Sequence, residues 1–194
     1  MPTVDLLISA YTDYVKNVST PGMAISLEAS IFLYETLVTV QPKSVLDTGS
    51  GFTSYVVRRW AQDAGLVSSV NIVSADDNAS WLKRTRSFCT KYGVEFGAFL
   101  LWDDIKGKSV AYDLISHDLG NKSVRAEALT DLLKLCAEGG TIIFDDMHKP
   151  ELNARTQAAC AAAKFSYVEV QKQTLDKFGR FQALGTRLPA AQVQ

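Results

Sequence analysis

Along the middle of the chain, short apolar runs alternate with longer stretches in which apolar residues recur every three or four positions. Ser44–Asp47 is an apolar run that ends in the turn signal Thr48-Gly49-Ser50-Gly51, and Thr53–Ala64 then carries the helical period. Val70–Ala75 is a second run, and Ala79–Tyr92 a second helical stretch closed by Gly93. Phe96–Trp102 predicts a third strand and Tyr112–Ser116 a fourth, followed by a helix over Val124–Ala137. Gly139-Gly140 ends that helix, and Thr141–Phe144 predicts a fifth strand. Pro150 marks a helix start, with Glu151–Ala163 as the body. Phe165–Gln171 and Arg180–Thr186 predict two last strands joined by a turn near Lys177–Gly179. Upstream, Ser26–Val38 reads as an amphipathic helix that covers the sheet or its site.

Strands alternating with helices imply βαβ units and a mostly parallel sheet. The last two strands have no predicted helix between them, so they are expected to pair as an antiparallel edge hairpin. The 194 residues fit one α/β domain: a helical cap over 1–40, a core over 41–187 and a tail over 188–194. In such a sheet, ligands bind outside the carboxyl ends of the strands, where strand order reverses. Those ends are where chemistry is expected.

Composition narrows the function classes. A hydrophobic fraction of 47% is that of an ordinary soluble globular domain, and a net charge of −1 does not suggest a nucleic-acid partner. Arg58, Arg59 and Lys83 through Arg86 form basic groups on predicted helices, which reads as solvated helix face. Cys89, Cys136 and Cys160 are too few and too scattered for a disulfide framework or a zinc site, and read as reduced core thiols. The first residues lack a basic start followed by an apolar run, and no stretch approaches the roughly 20 apolar residues of a membrane span. A cytoplasmic protein with no membrane partner is expected.

The first strand ends in Asp47-Thr48-Gly49-Ser50-Gly51-Phe52-Thr53. The glycines permit a sharp turn and close approach of a ligand, and the next helix aims its amide donors at the same spot. Asp47, two residues before the first glycine, suits a cationic ligand end. The bland alternative is a simple tight turn. The second strand ends in Asp76-Asp77-Asn78, where a carboxylate is placed to accept the hydroxyls of a ribose. Asp76 is the first choice; Asp77 or Asn78 is then free to cap the next helix. Trp81, one turn on, packs beside the nucleoside or is half-buried core.

The fourth strand ends in His117-Asp118 and the fifth in Asp145-Asp146-Met147-His148, which places both histidines of the chain at adjacent strand ends. Two mechanisms compete. Asp118, Asp145 and Asp146 repel one another unless protons or a cation neutralise them, and hard oxygen ligands suit magnesium, calcium or manganese. Alternatively His117 or His148 is a general base, with Asp145 or Asp146 capping a helix or holding the histidine's tautomer. Arg125 and Lys149 are candidates for binding an acidic acceptor, or are surface charges. Tyr11, Tyr14, Met23 and Glu28 are candidates for a lid, or are core.

The residues VLDTGSGFTS, SADDNASWL, YDLISHDLG and CAEGGTIIFDDMHKP, in this order and spacing, resemble four successive motifs of the class I S-adenosylmethionine (SAM)-dependent methyltransferases over roughly Gly22–Thr186. One departure is Thr53 in place of the third glycine of the first motif. The resemblance implies the Rossmann-like methyltransferase fold, with a seven-stranded sheet in the order 3-2-1-4-5-7-6 and helices on both faces. It implies SAM as cofactor, with Asp47, Gly49, Ser50 and Gly51 at its methionine end and Asp76 and Asp77 at its ribose. Trp102 and Asp103 become the candidates for the adenine wall, and Asp118 borders the cofactor. At the fourth and fifth strands the pattern is similar to the metal site of the catechol and caffeoyl-CoA O-methyltransferases, which implies magnesium on Asp118, Asp145 and Asp146. There Asp146 replaces that family's asparagine. The expected reaction is methyl transfer to a small-molecule oxygen or nitrogen, in a protein whose relatives are often homodimers. An NAD(P)-dependent oxidoreductase is the rival enzyme, but Ser54 stands where its fingerprint needs a third glycine. A non-catalytic binding protein on the same scaffold is the other rival.

Overall fold

The sheet has seven strands in the order β3-β2-β1-β4-β5-β7-β6 in a computed structural model that describes residues 2–189. The elements run α1 (Pro2–Asn17), α2 (Leu27–Val40), β1 (Ser44–Thr48), α3 (Phe52–Asp63), β2 (Asn71–Asp76), α4 (Ala79–Lys91), β3 (Ala98–Leu101), β4 (Tyr112–His117), α5 (Lys122–Leu135), β5 (Cys136–Phe144), α6 (Pro150–Ala162), β6 (Phe165–Glu169), α7 (Gln171–Thr174) and β7 (Ala183–Arg187). β1, β2, β3, β4 and β5 are parallel, and β7 pairs antiparallel with both β5 and β6. Sheet order and antiparallel edge agree with the expectation. Most of the predicted tail falls at 190–194, outside the described residues.

Alternation along the strands builds two cores. Leu46, Val73, Ile115 and Ile142 face one layer with α5 and α6, whereas their neighbours Val45, Ile72, Leu114 and Ile143 face the other with α1, α2, α3 and α4. In the second core Phe52, at the start of α3, lies 5.5 Å from Tyr14 of α1 and 5.2 Å from Tyr55, and Phe88 of α4 lies 5.0 Å from Tyr14. Aromatic pairs of this kind contribute about 0.5–1.5 kcal/mol each beyond their burial. They fix the start of α3, and hence the loop after β1.

Capping residues set the helix starts around the site. Asn78 accepts from the amides of Ser80 and Trp81, and Asn121 from those of Ser123 and Val124. Ser26 does the same for Ala29 at α2.

Four sequence expectations need correction. The third strand starts at Ala98, and Trp102–Asp104 form a 3-10 turn beyond it. The helix before Gly139-Gly140 stops at Leu135, because Cys136 already pairs with Tyr112; β5 therefore passes through both glycines with a register shift. A one-turn helix, α7, interrupts the last two strands. Arg58 is fully buried rather than solvated: its guanidinium donates to Ser74 Oγ and to the carbonyls of Ser54, Phe96 and Ala98, and stacks on Phe99. Arg59 sits on the helix surface, paired with Asp63. All three cysteines are buried and free, and no helix among the described residues is long and apolar enough to cross a membrane.

Candidate functional site

The carboxyl ends of β1, β2, β4 and β5 surround a cavity of about 530 Å³, a size suited to a small-molecule cofactor. A groove of similar volume, about 580 Å³, runs between α1 and α4 and contains none of the strand-end residues. The chemistry-bearing side chains line the first.

Gly49 starts the loop after β1 with φ +82°, and a Cβ there would stand 2.1 Å from the carbonyl oxygen of Asp118. Only glycine permits the loop to cross β4 this closely. Gly49, Ser50, Gly51 and Thr53 line the cavity. Asp47 does not. It is fully buried behind the loop, and its Oδ2 accepts a hydrogen bond from Ser54 that braces the loop. Burial drives its pKa up, against the Ser54 and Thr53 hydroxyls.

At the end of β2, Asp76 Oδ2 accepts from Ser50 Oγ at 2.9 Å and Oδ1 accepts from the Asn78 amide at 2.9 Å. Each oxygen keeps a second acceptor position, a pair suited to a vicinal diol. Burial raises its pKa to about 6, with the two hydrogen bonds pulling it down and Asp77 pushing it up. Trp81 Nε1 donates to the Ser50 carbonyl at 2.5 Å, which fixes the indole against the cavity wall. Asp77 lines the cavity and lies against Gly120, whose φ of +52° and missing Cβ make room for that carboxylate.

Trp102 and Asp103 are not part of this wall. Trp102 is buried in the core beneath α5, and Asp103 is exposed and paired with Lys106. The chain turns at Leu101 too early for either side chain to reach the cavity.

The far end of the cavity holds Asp118, Arg125, Asp145, Asp146, His148 and Lys149. Arg125, 6% exposed, donates to Asp146 Oδ2 at 2.6 Å and to the Gly120 carbonyl at 3.0 Å, and pairs with Asp118 Oδ1 at 2.5 Å. Lys149 also pairs with Asp146. Asp145 Oδ1 accepts from Gln182 Nε2 at 3.2 Å. Burial raises Asp118 and Asp145, with Arg125 opposing; for Asp146 burial loses to the Lys149 and Arg125 cations, which hold its carboxyl low. Three carboxylates thus share two cations. Asp146 adopts φ +64°, a left-handed conformation found for aspartate mainly in tight turns. Among the described residues no three His, Cys, Asp or Glu side chains are grouped to hold a metal ion. The expected magnesium ligands do not fit a metal, because Arg125 already engages two of them.

The two histidines differ. His117 is fully buried and does not line the cavity. Its Nε2 donates to the Arg125 carbonyl at 3.1 Å, so Nδ1 accepts from the Thr48 hydroxyl at 3.0 Å. With both ring nitrogens spent and burial lowering its pKa to about 3, His117 is not a catalytic base. His148 lines the cavity, with Nδ1 3.5 Å from Asp146 Oδ1.

On the mouth, Met23 is 76% exposed, beside Gly22, Ala24 and Ile25. Tyr14 is core, Tyr11 stacks edge-on against Phe52, and Glu28 is exposed; none of the three lines the cavity. Arg180, which nothing in the sequence singles out, donates to the carbonyls of Pro21, Gly22 and Ala24 and pairs with Asp176. It joins segments more than 150 residues apart, a link that no local pattern carries. Gln182 was equally silent. Gly120 had a signal in the Asp-Leu-Gly-Asn turn after β4.

No protein-family model matches the sequence, and no curated protein sequence matches it. Solved structures do match in fold. The O-methyltransferase TomG from Streptomyces achromogenes, solved in complex with SAM and involved in tomaymycin synthesis, superposes with a TM-score of 0.71 at 17% identity, over 96% of this chain and 90% of that one. An O-methyltransferase from Bacillus cereus in complex with SAH gives 0.72 at 17%, over 97% and 91%. The SAH-bound methyltransferase PaMTH1 from Podospora anserina gives 0.69 at 18%, over 95% and 88%. The chain has the Rossmann-like fold of these methyltransferases over nearly its whole length.

Proposed function

We propose that the protein is a SAM-dependent methyltransferase acting on a small-molecule oxygen or nitrogen. The observation that carries this reading is the pairing of the Gly49–Gly51 loop with Asp76 and Trp81 on one wall of a cavity at the strand ends. Structures of the same fold contain SAM or SAH. The donor set fits the cofactor: Asp76 offers two acceptor oxygens for the ribose, Trp81 a fixed flat surface, and the loop its backbone. An NAD(P) site would need a third loop glycine at Ser54, whose hydroxyl instead serves Asp47.

Bound SAM supplies an electrophilic sulfonium methyl. The chain's own part is to position the acceptor and remove its proton. His148 takes that proton: it lines the cavity beside Asp145 and Asp146, with Nδ1 3.5 Å from Asp146 Oδ1. Asp145 orients the acceptor by accepting a hydrogen bond, itself held by Gln182. Met23, Ala24 and Ile25 keep water from the mouth.

Phenols, carboxylic acids and amines screened with SAM, scored by SAH release, test this reading. The reading expects turnover with at least one class, reduced roughly 10²–10⁴-fold in His148→Gln. Turnover unaffected by His148→Gln removes the histidine from its role.

A further inference from the structure

Asp118, Asp145 and Asp146 stand at the ends of adjacent strands, yet their oxygens converge on N–H donors. Asp118 Oδ1 and Asp146 Oδ2 lie 2.5 and 2.6 Å from two different nitrogens of Arg125, and Asp145 Oδ1 accepts from Gln182. A planar guanidinium fork satisfies carboxylates in this way, whereas magnesium demands oxygens at about 2.0–2.1 Å around a common centre.

Arg125 is not free to withdraw. Its guanidinium also donates to the carbonyls of Gly120 and Asp118, its backbone carbonyl accepts from His117, and α5 is capped four residues earlier by Asn121. Pulling it out would leave Asp118 without its cation and Asp146 with Lys149 alone. A divalent ion entering with Arg125 in place would meet a fixed positive charge beside two of its ligands. Lys149 on Asp146 adds a second.

We infer that Arg125 is the site's built-in cation, and that this protein works without a divalent metal at the strand-four and strand-five carboxylates. The consequence for chemistry rests on the methyltransferase reading. A guanidinium has no vacant coordination position, so it neither chelates paired oxygens of an acceptor nor polarises one as a Lewis acid. The acceptor class that follows carries one nucleophilic atom, held by hydrogen bonds to Asp145 and His148, with no need for a neighbouring oxygen.

The test is a titration of the whole wild-type protein with manganese, reading free ion by electron paramagnetic resonance, beside Arg125→Ala and Asp118→Asn. It needs neither SAM nor an acceptor, so its result is independent of the proposed function; a separate SAM titration decides that. The inference expects no saturable manganese binding up to about 1 mM, the weak end of protein carboxylate sites. It also expects binding roughly tenfold or more tighter in Arg125→Ala, where the carboxylates lose their partner. If Arg125→Ala does not fold, the wild-type titration decides alone. Saturable binding of one ion per wild-type chain, lost in Asp118→Asn, overturns the inference.

Discussion

Nε2 of His117 donates to the backbone carbonyl of Arg125, 3.1 Å away, across the gap between the end of β4 and the first turn of α5. The imidazole is a strut beneath the site, and it is neutral. Its folded pKa, about 3, lies below the ordinary 6.5. A depressed folded pKa favours folding above pH 6.5, and that stability is lost as pH falls towards 3. The slope is about 1.4 kcal/mol per pH unit. His117→Gln is expected to flatten this acid slope in denaturant titrations while leaving the pH profile of turnover unchanged. An unchanged slope contradicts the strut.

Asp76 carries the opposite sign. Its folded pKa is raised from 3.8 to about 6, so the stability it contributes is present below pH 4 and is lost as pH rises through 6. Asp76→Asn is expected to remove this decline from the ligand-free protein. SAM binding follows the ionised form and should weaken by about tenfold per pH unit below 6 in the wild type. Affinity that is flat between pH 5 and 7 contradicts the ribose assignment.

Two glycines of one loop are expected to behave differently. Gly49→Ala drives a Cβ to 2.1 Å from the Asp118 carbonyl at φ +82°, and is expected to cost at least about 3 kcal/mol in chemical denaturation. Gly51 has an extended φ of 173°, and its Cβ meets only Tyr14 Oη at 3.2 Å. Gly51→Ala should cost less than about 1.5 kcal/mol. Equal costs contradict the crossing geometry.

Arg180→Ala removes the donor that holds the carbonyls of Pro21, Gly22 and Ala24. Amide exchange at Met23 and Ala24, whose N–H groups bond the Thr20 carbonyl, is expected to accelerate at least about tenfold. Unchanged protection shows that the mouth is held by something else.

The sequence disclosed what local pattern can carry. Alternation placed the strands, and the carboxyl-end rule put Gly49, Asp76, Asp118, Asp145 and His148 round one cavity. What escaped depended on side-chain reach and on long-range contact. Asp47 looks like a ligand in its motif, but it is buried behind the loop, where Ser54, seven residues on in the first turn of α3, donates to Oδ2. Trp102 was expected to end the third strand, but that strand stops at Leu101 and the 3-10 turn carries Trp102 and Asp103 away. Three clustered aspartates suggested a metal because their partner, Arg125, arrives from α5 and is visible only when the helix is docked. The choice between His117 and His148 likewise needed burial, since both sit at strand ends.

The central claim is that Asp76 and the Gly49–Gly51 loop hold SAM. Calorimetric titration of the purified wild-type protein with SAM, beside Asp76→Ala, tests it most directly. The account predicts one site per chain, weakened about 10–100-fold in Asp76→Ala by loss of charge-assisted hydrogen bonds. Absence of SAM binding in the wild type, or binding that Asp76→Ala leaves untouched, would contradict it.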